Sequence, residues 1–226
     1  MCWVDCASWF VVGTRGVWTV ASSEKVSNEM TYLTSPMSSR NQFGTFLNDH
    51  GLTGEAVEIG VHRGQFARIF LDRWGGKKLY LVDPYWDAPS SYNLQSELLP
   101  EKGPSRRADY YEAQIVTDAH HTRREFILET SVTASGMFHN DGIDFVYIDG
   151  DHSQDNVLKD LLSWWPKLRA GGIIAGHDWA CPGEDGGLWA LGIQYAVARW
   201  AELMRVEWVY LIVEENGLPW SFYAIK

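Results

Sequence analysis

The run Ile143-Asp144-Phe145-Val146-Tyr147-Ile148-Asp149-Gly150-Asp151-His152 is largely apolar and closes on two carboxylates and an imidazole. The turn residues Asn140-Asp141-Gly142 precede it, and a helix-like segment from Gln154 to Leu168 follows. An apolar run placed between turn and helix signals reads as a strand buried on both faces, hence a parallel strand of an α/β sheet. Ligands of open α/β sheets bind in the crevice outside the carboxyl ends of the strands, so Asp149, Asp151 and His152 are delivered where chemistry is expected. Asp151 and Ser153 read equally well as caps of the next helix. Asp149 comes too early for that role.

The same strand-then-helix alternation extends in both directions. Upstream, Glu55 to Gly60 is a short strand running into a glycine turn at Val61-His62-Arg63-Gly64, and Phe66, Ile69 and Phe70 mark a helix up to Arg73. Lys78 to Asp83 gives a second buried strand and Glu125 to Ser131 a third. Downstream, Gly171-Gly172-Ile173-Ile174-Ala175-Gly176-His177-Asp178 is a fifth strand ending in polar groups. A long helix from about Leu188 to Arg205 leads to two β-rich segments, Val206 to Val213 and Trp220 to Ile225, which the turn residues Asn216 to Pro219 set up as an antiparallel pair. Repeated βαβ units predict an α/β fold with a mostly parallel sheet. Residues 84 to 108 are too long for an ordinary connection and read as a lid or substrate loop. Residues 1 to 36 show mixed periodicity and no repeat, and are assigned as an N-terminal extension to one domain spanning residues 37 to 226.

Bulk properties narrow the partners. A net charge of −10 and a pI near 5.1 argue against a nucleic-acid surface, which relies on clustered Lys and Arg. Cys2, Cys6 and Cys181 have no metal-binding spacing, and a reducing, cytoplasmic compartment is expected. No apolar run approaches the roughly 20 residues that span a bilayer, and the first 21 residues make a poor signal peptide. The twelve tryptophans are expected to fill the core. A small-molecule acceptor is the expected partner, with no nucleic acid and no membrane; a homo-oligomer is compatible with the sequence.

The chemistry concentrates at strand ends. Glu58-x-Gly60-x-x-x-Gly64 puts glycines where a strand turns into a helix, which lets a ligand lie against the backbone, though the same turn occurs for purely structural reasons. Asp83 follows Gly60 by 23 residues at the end of the next strand, where a carboxylate accepts from both hydroxyls of a ribose or simply forms an Asp-Pro turn. Neither the dinucleotide fingerprint nor a Walker lysine is present, so the pattern suggests a nucleoside-bearing ligand without a diphosphate.

These motifs together resemble a class I S-adenosylmethionine-dependent methyltransferase, closest to the macrocin-type sugar O-methyltransferases. The resemblance rests on Val57 to Gly64, Tyr80 to Trp86, Asp144 to Ser153 and Gly171 to Asp178, and covers roughly residues 40 to 226. It implies a Rossmann-like three-layer sandwich with a seven-stranded, mostly parallel sheet whose last strand is antiparallel. It implies S-adenosylmethionine held by Glu58, Gly60, Gly64, Asp83 and Asp149, with Thr130 and Ser131 at the adenine. It also implies a divalent metal, Mg or Mn, on Asp149, His177 and Asp178, with His152 as the base beside Asp149. His177 departs from the carboxylate or amide usual at that position, and His177 and Asp178 are also readable as a loop-to-loop hydrogen-bonding pair. Expected activity is methyl transfer to a hydroxyl of a small sugar-like or phenolic acceptor. The alternatives are a methyltransferase-fold enzyme of another reaction class, hydroxylase-like or lyase, and a non-catalytic nucleoside-binding module.

Overall fold

A computed structural model describes residues 10–13, 17–21, 30–85, 106–179, 187–214 and 218–226. Seven strands form the sheet that the sequence predicts: β4 (Glu55–Ile59), β5 (Lys78–Val82), β6 (Arg124–Ile127), β7 (Ile143–Ile148), β8 (Leu168–Gly176), β9 (Trp208–Ile212) and β10 (Ser221–Ile225). Their spatial order is β6-β5-β4-β7-β8-β10-β9, parallel except for β10, which runs antiparallel to both β8 and β9.

The sheet is larger than seven strands. Residues read as an extension supply β1 (Phe10–Gly13), β2 (Val17–Ala21) and β3 (Thr31–Thr34), which continue the sheet beyond β9 and make ten strands among the described residues. β3 pairs in parallel with β9, from Thr31 against Trp208 to Thr34 against Leu211. An uncovered β9 would present a row of unpaired backbone groups, and β3 satisfies them.

The core follows from the period-2 alternation of strand side chains. One face of the sheet carries Val57, Ile59, Val146, Ile148 and Ile174, packed under α4 (Ser131–Ser135), α5 (Gln154–Trp164) and α6 (Gly187–Met204). The other carries Ala56, Phe145, Tyr147, Ile173 and Ala175, packed under α1 (Phe43–Asp49), α2 (Gln65–Arg73) and α3 (Arg106–Val116). β7 lies at the centre, and all six of its residues are buried. Trp74, Trp164 and Trp200 are fully buried, as core-filling tryptophans should be.

Several element boundaries differ from the sequence reading. β6 stops at Ile127, because Thr130 caps α4 and Ser131 begins it. α5 ends at Trp164, and Leu168 already belongs to β8. The expected lid over residues 84 to 108 lies mostly outside the described residues, as does the loop after Ala180.

The chain proceeds from β4 to β5 and β6 on one side, and from β7 to β8 on the other. The connections diverge between β4 and β7, which leaves a crevice at their carboxyl ends. Of the residues singled out in the sequence, Gly60, Asp83, Thr130, Ser131 and Asp149 line that crevice.

Candidate active site

The crevice opens into a cavity of ≈ 330 Å³ whose lining includes Gly60, Asp83, Thr130, Ser131, Asp149 and Asp160. β4 reaches it through a close backbone approach. Asp149 N donates to Ile59 O at 2.8 Å and Gly60 N to Val82 O at 2.9 Å. Gly60 has φ +82°, and a Cβ there would stand 2.2 Å from Asp149 O, so only glycine fits. Asp83 ties this turn to β5: its Oδ2 accepts from Val61 N at 3.0 Å and His62 N at 3.1 Å, and its Oδ1 accepts from Tyr85 N at 2.9 Å. A carboxylate offers about four lone-pair sites, which leaves capacity for a ligand hydroxyl.

The remaining residues predicted around the nucleoside take different positions. Gly64 is the N-cap residue of α2, about one turn beyond Gly60. Glu58 lies buried beneath the turn, and its Oε2 has no hydrogen-bond partner among the described residues. Burial, reinforced by the charge of Asp149, pushes its carboxyl well above the usual range. Thr130 and Ser131 do line the cavity, but both hydroxyls have internal work: Thr130 caps α4 through Thr133 N, and Ser131 Oγ accepts from Trp164 Nε1 at 2.9 Å.

The ends of β7 and β8 bring the predicted chemical residues into one cluster. His152 Nε2 lies 2.7 Å from Asp178 Oδ2 and 3.7 Å from Asp149 Oδ1. His177 Nδ1 lies 3.1 Å from Asp178 Oδ1 and 3.5 Å from Asp149 Oδ1. Asp178 holds φ +55°, a left-handed conformation uncommon for a non-glycine residue and one of the places where strain gathers at functional sites.

One member of the cluster is not foreseen from sequence. Arg40 Nη1 donates to Asp149 Oδ2 at 2.9 Å and to the Tyr147 hydroxyl at 3.2 Å. Its guanidinium lies 5.7 Å from the centre of the Phe66 ring. Ser39 and Gln42 form a capping box around a single helical turn, which sets Arg40 at its first position. That Ser-x-x-Gln signature is readable in the sequence, but its long-range partners are not.

Charge balance follows from these contacts. Burial alone would raise Asp149, but hydrogen bonds from His152 and His177 outweigh it and hold the carboxyl at about 2. Asp178 is depressed for the same reason. Burial alone would lower His152, yet its bonds to Asp149 and Asp178 push it up to about 10, and His177 rises likewise. In this arrangement the His152 imidazole keeps its proton at neutral pH.

The donor set suits a divalent cation. Ligand atoms of Asp149, His152 and Asp178 lie within 4.8 Å of one another, with His177 touching both carboxylates. Two carboxylates with imidazole nitrogens suit Mn²⁺ or another transition metal better than Mg²⁺, which prefers all-oxygen ligation. Arg40 occupies Asp149 Oδ2 and leaves Oδ1 facing the imidazoles.

A family model described as a methyltransferase domain matches residues 57–179. No curated protein matches the chain in sequence. Among solved structures, cofactor-bound Rv0187 of Mycobacterium tuberculosis is similar at 13% identity with a TM-score of 0.59, over 84% of this chain and 81% of that one. A Nostoc punctiforme protein provisionally named an O-methyltransferase is similar at 12% identity and TM-score 0.58, over 82% and 55% of the two chains. Spermidine synthase of Thermotoga maritima aligns at 11% identity and TM-score 0.53, over 96% and 72%. At such identities the likeness is one of fold. No helix among the described residues is long and apolar enough to cross a membrane.

Proposed function

From the premise that this chain belongs to the methyltransferase domain family, as a class I S-adenosylmethionine-dependent methyltransferase, we propose that its acceptor is a hydroxyl of a small sugar-like or phenolic molecule, as in the macrocin-type group. The observation that carries this reading is the cluster of Asp149, His152, His177 and Asp178 where β7 and β8 end, with Asp149 shared between it and the nucleoside cavity. A methyl acceptor has to lie beside the cofactor's sulfur and lose a proton. A shared carboxylate next to an imidazole provides for both requirements.

S-adenosylmethionine supplies an activated methyl group, and the chain supplies position and proton handling. The glycine turn and Asp83 would hold the nucleoside end, while Asp149 and Asp178, with His177, would hold a divalent cation, whose chemistry there would be to lower the pKa of an acceptor hydroxyl. His152 takes the proton. As the cluster stands, Asp149 and Asp178 keep His152 protonated, and a cation on those carboxylates would compete with that proton. Cation binding and a usable base are thereby linked. Arg40 holds Asp149 in place from the opposite side.

The test is S-adenosylhomocysteine release, followed with a panel of hydroxylated acceptors. EDTA should suppress turnover and Mn²⁺ should restore it, while cofactor affinity stays unchanged. Undiminished turnover after exhaustive chelation would remove the cation from the mechanism.

A further inference from the structure

β10 opposes both β8 and β9, so β9 runs in the direction of β8, and β3 pairs with β9 in parallel. The carboxyl end of β3 therefore opens on the same edge of the sheet as the ends of β7 and β8. Ser35 N donates to Leu211 O at 2.8 Å and carries the β3–β9 pairing one residue further. The chain then enters the capping box of Ser39 and Gln42, where Arg40 N donates to Glu214 Oε1 at the end of β9. These contacts deliver Arg40 to the histidine cluster from outside residues 57–179, the stretch that the family model matches.

The guanidinium is fixed at that end as well. Nη1 donates to both Asp149 Oδ2 and the Tyr147 hydroxyl, and the Phe66 ring lies beside it. An arginine side chain cannot be deprotonated in a protein, so it occupies Asp149 Oδ2 permanently. Asp149 keeps one oxygen for a further partner, Oδ1, which faces His177 Nδ1 at 3.5 Å and His152 Nε2 at 3.7 Å. Cations differ in what this restriction costs them. Ca²⁺ takes roughly six to eight oxygen ligands and often claims both oxygens of one carboxylate. A first-row transition ion such as Mn²⁺ works with fewer oxygens and accepts imidazole nitrogen. The charge of Arg40 opposes every divalent cation alike and cannot choose between two of them, whereas the oxygen it occupies can.

We infer that Arg40 is the residue that sets cation specificity: by holding Asp149 Oδ2 it makes Asp149 a one-oxygen ligand and disfavours Ca²⁺ relative to Mn²⁺. This rests on the reading of the Asp149, His152, His177 and Asp178 cluster as a cation site. The strand β3, part of the segment that the sequence reading set apart as an extension, then serves the site by delivering Arg40 to Asp149.

The experiment is calorimetric titration of the full chain, with neither cofactor nor acceptor present, by Mn²⁺ and by Ca²⁺. The wild type should bind Mn²⁺ about a hundredfold more tightly than Ca²⁺. Arg40→Met keeps an unbranched stem beside Phe66 but frees Asp149 Oδ2. It should narrow the gap about tenfold or more, with Ca²⁺ gaining more than Mn²⁺, on the scale by which groups behind a metal ligand alter affinity. Arg40→Lys, which can still donate to that oxygen, should keep most of the wild-type gap. A folded Arg40→Met variant with the wild-type ratio of affinities overturns the inference. So does a wild type that binds Ca²⁺ as tightly as Mn²⁺, whatever the variants do. A wild type that binds neither cation removes the cation reading of the cluster itself, and the inference with it.

Discussion

Gly60→Val should destabilise the fold by about 2–6 kcal/mol and lower affinity for S-adenosylhomocysteine at least about tenfold. Two effects combine. The residue would have to hold φ +82°, which costs a non-glycine residue roughly 1–3 kcal/mol. Its Cβ would also stand 2.2 Å from Asp149 O and 2.5 Å from Gly150 Cα, both backbone atoms without a rotamer to change. Relief requires the ends of β4 and β7 to part, at an overpacking cost of about 1–3 kcal/mol. The same movement displaces Val61 N and His62 N from Asp83, which orients the carboxylate at the cavity. Losing one hydrogen bond to a charged group costs about 1.5–3 kcal/mol, or roughly ten- to a hundredfold in affinity. Urea melts and calorimetry read the two effects separately. Wild-type affinity in Gly60→Val would show that the turn does not touch the cofactor.

His152→Ala should lower kcat by roughly 10²- to 10⁴-fold, the usual range for losing a general base, which corresponds to about 2.7–5.5 kcal/mol of barrier. The fold should survive, because Asp149 retains Arg40 and His177, and Asp178 retains His177. Affinity for Mn²⁺ separates two roles that the geometry brings close together. Retained Mn²⁺ affinity with lost turnover identifies His152 as the base and leaves His177 as the imidazole ligand. Lost Mn²⁺ affinity would instead make His152 the ligand, as its place between the two carboxylates also permits.

The central strands were legible because being buried on both faces demands apolar runs, and β4, β5, β7 and β8 all show them. The site residues at their ends were legible for a related reason: a carboxylate directly after an apolar run has few structural uses. Asp149 and His152 meet because they are three residues apart at one strand end. Asp178 joins them only because β8 lies beside β7, an adjacency that the alternating pattern implied. Arg40 stayed hidden because its partners, Tyr147 and Asp149, are 107 and 109 residues away. β3 was missed because only Tyr32 of its four residues is buried, packed against Trp179 at 5.0 Å between ring centres, which leaves little alternation to read. Asp160 was hidden for the opposite reason. Within an amphipathic helix it reads as a solvated acid, and only the packing of α5 against α4 turns it into the cavity.

The most direct test is a crystal structure of the chain with S-adenosylhomocysteine bound. The ribose should lie at Asp83, the backbone of the Gly60 turn should run alongside the ligand, and the sulfur should face Asp149 and the histidine cluster. A ligand bound outside this cavity, or one whose sulfur points away from Asp149, would contradict methyl transfer at the ends of β7 and β8.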